Sequence, residues 1–565
     1  MRRFASVAAI CFGCSLIAAG LVYAQGRGGG SWSTAGGDAQ LTGFQHTEPR
    51  LTRDTVKNMK FLWKIKLGSQ PVTEASEPLF AGHTITNAGF KDMVVVLGPG
   101  NTLTNVDYEL GTILWQRSVV GGSKVSAACP NGQLSQFIVQ PTATFGGGRG
   151  RGAAGRGAPG AAAARGAAPA VLGPPPNPPA TTPRVGGNLA GGVGFGGLRG
   201  IFVLTPDGNL HEQELNNGWD YGDPVKFMPP GADLGAPAIE GTRIYASAGG
   251  ACGGSGNGVY GLDMANDSYG KVSFESGNIP VTGTDGPALS LDNNTLFVTT
   301  GSGSGDAHAN SVLALDAKTM QAKDYFTPNG ASGKTNIDVS PVVFSYKGSE
   351  VVAAFVAGGR LALLDGASLG GSDHHTPLAI TPALSKDGGS GAWGRLASAE
   401  DSNGTRFVYV SVNGPLAIDA KLPTKNGVVT DGAIVAFKVE GESGAPKLTP
   451  AWVSPNVANP SPASIVMTAA PPNVDNFGQP LAEPSTAPAA VKAGGIVFTL
   501  AEGEPGKTNA RLYGFDAETG AQIYSSAEEI GSAAKHAAIS ISGAHVVFLA
   551  ADNTLYSFGI AYEKN

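Results

Sequence analysis

Tyr513-Gly514-Phe515-Asp516-Ala517-Glu518-Thr519-Gly520, followed four residues later by Tyr524, decides the fold of this 565-residue chain. An apolar strand runs into an aspartate, a short turn closes on glycine, and an aromatic opens the next strand. The aspartate side chain accepts hydrogen bonds from the turn behind it, and glycine takes the left-handed backbone that ends such a turn. The same unit recurs towards the N-terminus. Leu361 leads to Asp365, Leu313 to Asp316 and Tyr325, and Tyr260 to Asp263 and Phe274. Leu210 leads to Gly218 with Glu214 in the aspartate's place, and Thr104 to Gly111 and Trp115 is the earliest copy. Val435 to Lys438, reaching Trp452, is a degraded copy, and Leu555 to Phe558 is truncated by the chain end. Glu214, Asp263, Asp316 and Asp365 stand 49, 53 and 49 residues apart. That period belongs to propeller blades rather than to helical solenoids.

Eight copies predict an all-β chain, an eight-bladed β-propeller of four-stranded antiparallel blades spanning residues 61–565. A small twisted sheet cannot bury both faces alone, whereas radial stacking covers each face with a neighbour. The aromatic of each unit is expected to pack between blades. A small residue and Pro mark the start of innermost strands, in Gly235-Ala-Pro237, Asp285-Gly-Pro287 and Val339-Ser-Pro341. The last copy supplies three strands, at 539–541, 545–550 and 555–560, and lacks a fourth. The alternating run Phe61-Leu-Trp63-Lys-Ile65-Lys-Leu67 has no blade of its own, and the expectation is that this N-terminal strand closes the last one. Composition agrees: 84 Gly and 38 Pro punctuate short β-branched runs. Only Leu51 to Met59 reads as a short helix.

Residues 1–24 read as an export signal, with Arg2 and Arg3 ahead of an apolar run and Val22-Tyr23-Ala24 as the cleavage site. The expected location is therefore exported, periplasmic or extracellular, with no stable membrane span. Cleavage removes two Arg, taking the formal net charge from -6 to -8, and leaves Cys129 and Cys252 as the remaining cysteines. Cys11-Phe-Gly-Cys14 is not followed by His, so no covalent haem is expected. The acidic balance argues against a nucleic-acid surface, whose affinity rests on Lys and Arg neutralising phosphates. Residues 25–60 form an N-terminal segment ahead of the propeller. Residues 146–198 are nearly all Gly, Ala, Pro and Arg, too poor in apolar surface to offset their ordering entropy; they are expected to be a disordered insertion in the second blade. The connections near 412–430 and 458–490 should stretch the sixth and seventh blades over the surface.

Nearly the whole mature chain resembles the pyrroloquinoline-quinone (PQQ) propeller family, which includes alcohol and methanol dehydrogenases. The resemblance is carried best by Trp32-Ser-Thr-Ala-Gly-Gly-Asp38, Leu62-Trp63-Lys64 and the stretch Asp285 to Asp316. It implies PQQ near the propeller axis, between a tryptophan floor and an adjacent-cysteine pair, bridged by calcium to a Glu and an Asn, with an Asp as base. Matched by position, Cys252 stands where that Glu is expected and Ser302 where the Asn is, while Thr284-Asp285-Gly286 replaces the tryptophan and Ala128-Cys129-Pro130 the cysteine pair. Asp306 alone falls at the base position. A hard calcium ion wants oxygen ligands, and a Glu-to-Cys change removes a charged one. The same positions imply a Cys129–Cys252 disulfide near the axis. Trp393, opening the sixth blade, is the remaining candidate for stacking on a planar ligand, with inter-blade packing as its other role.

Two functions stay open at this stage. One is a binding or scaffold propeller in which the calcium–PQQ site is degraded, with a protein partner or a small planar ligand at the axis. The other is a PQQ-dependent oxidoreductase acting on an alcohol or sugar, with Asp306 as base, Cys252, Ser302 and Trp393 near the cofactor, and an external electron acceptor.

Overall fold

The computed structural model describes residues 32–45, 48, 50–73, 76–86, 89–119, 133–139, 198–220, 222–231, 233–249, 256–264, 270–303, 308–330, 338–389, 391–401, 403–467 and 494–561. Eight antiparallel sheets, each built on four successive strand positions, follow one another as blades around a ring. The first blade runs Leu79–Thr86, Gly89–Gly98, Thr102–Asp107 and Thr112–Ser118, from axis to rim. Helix is confined, among the described residues, to Arg53–Val56 and a few single turns. The Thr52 side chain caps that helix by accepting from the Thr55 backbone N–H.

Burial follows radial position. Innermost strands such as Ser540–Ser542 are wholly buried, whereas outer strands such as Gly270–Glu275 expose alternate residues. The innermost strands Ala238–Glu240 and Val342–Tyr346 each begin directly after the prolines Pro237 and Pro341 that mark them in the sequence. In the second blade Gln133–Val139 pairs with Leu198–Leu204, so the Gly/Ala/Pro/Arg-rich stretch joins its first two strands; residues 140–197 lie outside the described residues.

The eighth blade closes the ring. Its three C-terminal strands are Ser540–Ser542, His545–Leu549 and Thr554–Gly559, and its fourth is Lys60–Lys66, antiparallel to Thr554–Gly559. Trp63 on that closing strand shows what the repeat is for. Its indole Nε1 donates to the Tyr108 carbonyl of the first blade at 2.7 Å, and its ring covers Gly111. Trp115 likewise donates to Leu215 O in the second blade at 3.0 Å, and Trp452 to Ala517 O in the seventh at 2.8 Å. The aromatic of one blade is thus seated on the turn of the next. The turn is held by its aspartate: Asp516 Oδ1 accepts from the backbones of Glu518 and Thr519 at 3.0 and 2.9 Å.

Gly111 and Gly520 answer to both demands at once. Each has a left-handed backbone, φ 63° and 71°, and a Cβ on either would meet the tryptophan ring at 2.5 and 2.4 Å. Gly277 has a similar φ of 61° and open space around it. Gly111→Ala and Gly520→Ala are therefore predicted to destabilise the fold by about 3 kcal/mol each, combining backbone strain with overpacking, against about 1 kcal/mol for Gly277→Ala. Urea denaturation of the three variants checks this; equal losses would show that the tryptophan seat contributes nothing.

Candidate functional site

The N-terminal segment 32–45 crosses the axis. Its backbone carbonyls at Trp32, Ala39, Gln40, Thr42 and Gly43 accept from Phe80, Leu289, Val343, Ser398 and Ile465, which lie on the innermost strands of blades 1, 4, 5, 6 and 7 or at their ends. Phe44–Gln45 then adds in parallel to Ser464–Met467, and Gln45 Nε2 reaches Ile541 O of the eighth blade at 2.7 Å. Innermost strands meet at the axis, so a segment bonded to so many of them must run through the centre of the ring.

At that centre lies Arg395, wholly buried. Its guanidinium donates from both terminal nitrogens to Glu77, at 2.9 and 3.1 Å, and from Nη1 also to Asp285. Nη2 reaches Ser464 Oγ at 3.3 Å, and the Trp32 ring lies 5.8 Å from the guanidinium carbon. Glu77 accepts in addition from Trp32 Nε1 at 2.7 Å and from the Gly36 backbone at 3.1 Å. Forked Arg–carboxylate pairs are the geometry in which a buried ion pair is best compensated. Burial opposes the charge on Arg395, but the two carboxylates outweigh it and hold the guanidinium protonated. Burial pushes the Glu77 carboxyl up, against the pull of Arg395.

Beside this cluster is a cavity of about 100 Å³, lined by Glu77, Asp233, Ser247, Asp285, Asp338 and Trp393, with Ala35, Gly249, Gly283, His536 and others completing the wall. Two of these side chains are placed by one local device. Asp338–Ser340 and Trp393–Arg395 form a short parallel pair between blades 5 and 6. Residues two apart on a strand share a face, which sends both Trp393 and Arg395 to the axis. Asp338 accepts from the Gly283 backbone and from Thr284 Oγ1. Burial raises its carboxyl above the usual range, and the charge of Asp285 adds to that. Burial also raises Asp233, with the charge of Asp338 second.

Trp393 and His536 also line a wider depression of about 530 Å³, with Asp387, Asp431, Glu502 and Lys535. Trp393 thus stands between an inner cavity and an outer funnel. Its Nε1 donates to Glu502 Oε1 at 2.6 Å, and its ring lies 5.1 Å from that of His536. Burial lifts the Glu502 carboxyl to about 7, although the hydrogen bonds from Trp393 and the His536 backbone pull it down; burial lowers His536 to about 4, aided by the charge of Lys535.

With this geometry in view, comparison with solved structures places the architecture. The quinohemoprotein alcohol dehydrogenase from Comamonas testosteroni superposes with a TM-score of 0.52 at 13% identity, over 95% of this chain and 81% of that one. A quinohemoprotein alcohol dehydrogenase from Pseudomonas putida HK5 gives 0.53 at 12% identity, over 95% and 81%. A europium-containing methanol dehydrogenase gives 0.52 at 11% identity, over 94% and 98%. The fold is that of the quinoprotein alcohol dehydrogenases. No protein-family model and no curated protein matches the sequence. At these identities the likeness speaks for the quinoprotein-type propeller and for nothing in its chemistry.

Within this quinoprotein-type propeller the sequence candidates separate. Trp393 is at the axis, buried and lining both spaces. Ser302 follows strand Thr295–Thr300, half-buried, and is not among the residues lining the cavity. Cys129, Cys252 and Asp306 lie outside the described residues. Of the side chains that do surround the axis, Asp285 entered the sequence reading only within a strand marker and as part of the stretch replacing a tryptophan, and Glu77, Asp233, Asp338 and Arg395 are not assigned a site role by any motif. A signal was available: Glu77-Pro78, Asp285-Gly-Pro287 and Asp338-Val-Ser-Pro341 each place an acid just ahead of the proline that opens an innermost strand.

A carboxyl raised in the folded state binds protons that the unfolded chain has released, so its contribution to stability is full below pH 4.5 and is lost as pH rises through about 7. Glu502→Gln keeps an acceptor for Trp393 without the charge. The variant is predicted to gain up to ~3 kcal/mol over the parent protein between pH 4.5 and 7. Urea denaturation of both proteins at matched pH measures that difference; parallel curves would mean that Glu502 titrates normally.

Proposed function

We propose that this chain is an exported binding protein, a quinoprotein-type propeller whose axis serves recognition and in which calcium–PQQ chemistry has been lost. The observation that carries the reading is the engagement of Arg395. PQQ bears three carboxyl groups and calls for cations at the axis. Here the guanidinium is already matched by Glu77 and Asp285, and the cavity beside it is faced by Asp233 and Asp338 as well. A polyanionic ligand would enter a space of excess negative charge, where like charges in a buried site repel strongly. Ligand pockets for cofactor-sized molecules span ~300–1,000 Å³, against about 100 Å³ in the inner cavity; the outer funnel is wider, at about 530 Å³, but is faced by Asp387, Asp431, Glu502 and Glu504 against Lys535. Among the described residues no three His, Cys, Asp or Glu side chains converge to hold a metal ion. The residues present therefore do not fit the quinone, and no catalytic step is derived through it. Export rests on the apolar stretch behind Arg2 and Arg3, and no helix among the described residues is long and apolar enough to cross a membrane.

The test is titration of the signal-free protein with PQQ, with and without calcium, followed by ligand fluorescence and melting temperature. A ligand that binds only the folded state raises Tm. The expected outcome is no saturable binding and an unchanged Tm under both conditions. Saturable binding that weakens in Asp306→Ala would instead revive the oxidoreductase reading, in which Asp306 is the base for an alcohol or sugar and an external acceptor takes the electrons, and would call for a turnover screen of alcohols and sugars.

A further inference from the structure

Three oxygen-bearing side chains in the axial cavity have work left undone. Asp233 makes no side-chain hydrogen bond or ion pair among the described residues, although it is exposed on the cavity wall. Ser247 is 3% exposed, lines the same cavity, and its hydroxyl is likewise unpartnered among them. Asp285 Oδ2 accepts from Arg395, while its Oδ1 receives no hydrogen bond from the described residues. Ser247 and Asp285 are buried, and buried polar groups are nearly always paired, so their unpartnered oxygens, facing the space that the Asp233 carboxylate also lines, mark a place where donors belong.

Charge narrows the donor. Glu77, Asp233, Asp285 and Asp338 face the cavity, and among the described residues Arg395 is the one guanidinium against them. Counted as formal charges, four carboxylates against one cation leave an excess of three, and burial pushes the Glu77, Asp233 and Asp338 carboxyls up, which shows that the site lacks the positive charge to offset it. A neutral donor would pair with the oxygens and leave that excess in place. An anion would enlarge it. A metal ion needs several oxygens brought within a short coordination distance, and the described acids do not converge in that way. An organic cation with separated N–H donors meets oxygens spread around a wall without requiring them to converge, and the Trp393 indole offers it an apolar and cation-attracting surface. Size sets the limit. A water needs ~10–15 Å³ of such space, so about 100 Å³ takes a molecule of roughly five to ten non-hydrogen atoms.

We propose that the axial cavity binds a small organic cation, a diamine or a short alkyl guanidinium, through Asp233, Ser247 and the free oxygen of Asp285. This rests on the reading of the axis as a recognition site without the quinone. Trp393, shared with the outer funnel, lies on the entry path, and the ligand completes the hydrogen bonding of the cavity wall.

Calorimetric titration of the signal-free protein with 1,4-diaminobutane at ~0.15 M salt, where surface attraction is screened, tests the proposal. 1,4-Butanediol serves as the neutral analogue of equal length, and calcium chloride is titrated separately. The expected result is saturable binding of the diamine and none of the diol. Asp233→Asn, at a side chain with no partner among the described residues, should weaken the diamine by about tenfold or more, as loss of a charge-assisted hydrogen bond does. Ser247→Ala should weaken it less, and Asp54→Asn, at an exposed surface carboxylate, should leave it unchanged. Equal binding of the diol, diamine binding indifferent to Asp233→Asn, or calcium binding lost in Asp233→Asn would each overturn the proposal. Failure of the diamine alongside failure of PQQ removes this ligand class and leaves the binding-protein reading standing. Binding of PQQ removes the latter.

Discussion

A guanidinium sealed at the centre of the ring needs its counter-charges in place before the ring is complete. Arg395 comes from the sixth blade, Glu77 from the entry to the first and Asp285 from the entry to the fourth, so the contact joins distant parts of the circle. Trp32 and Gly36 of the N-terminal segment bond to the same Glu77 carboxylate, which ties the segment across the axis to the cluster. An uncompensated buried charge costs several kcal/mol, and that cost makes the alignment of these parts cooperative. At the rim the seating of Trp63, Trp115 and Trp452 on the following blade sets the blade-to-blade spacing that lets the cluster meet.

The same arrangement governs what the axis offers a ligand. With the cation engaged, the cavity presents oxygens and an excess of carboxylates, together with the Trp393 indole. Trp393 and Arg395 reach the axis from a single three-residue strand, so the residue at the cavity entrance and the residue that locks the ring are positioned by one parallel pairing. Glu502 holds Trp393 from the other side, and its raised carboxyl reflects how little solvent reaches that contact. The ion cluster and the cavity wall thus occupy adjacent side chains, and those of Asp233 and Ser247 make no hydrogen bond or ion pair to other described residues.

Much of the fold was legible because blades are local. The Asp-turn-Gly unit fits within a dozen residues, its turn bonds are short-range, and the closing strand at Lys60–Lys66 was implied by the missing fourth strand of the last copy. The proline that opens an innermost strand was legible for the same reason. The site was much less so. Glu77, Asp285 and Arg395 are separated by more than a hundred residues at each step, and no local pattern announces that they meet. The position of Trp393 near the axis was legible because its place at the opening of a blade follows from the repeat. Ser302 was drawn from positional likeness alone, and it is not among the side chains lining the cavity. Divergence erases positional likeness at a site sooner than it erases the packing that builds the blades.

That Arg395 belongs to the fold rather than to a ligand is tested most directly by charge removal in two stages, read by urea denaturation. Arg395→Met alone leaves Glu77 and Asp285 buried without their cation and is expected to cost about 3–5 kcal/mol. Adding Glu77→Gln and Asp285→Asn removes the stranded charges and is expected to recover most of that loss. A near-neutral single variant, or a triple variant no more stable than the single one, would contradict the account.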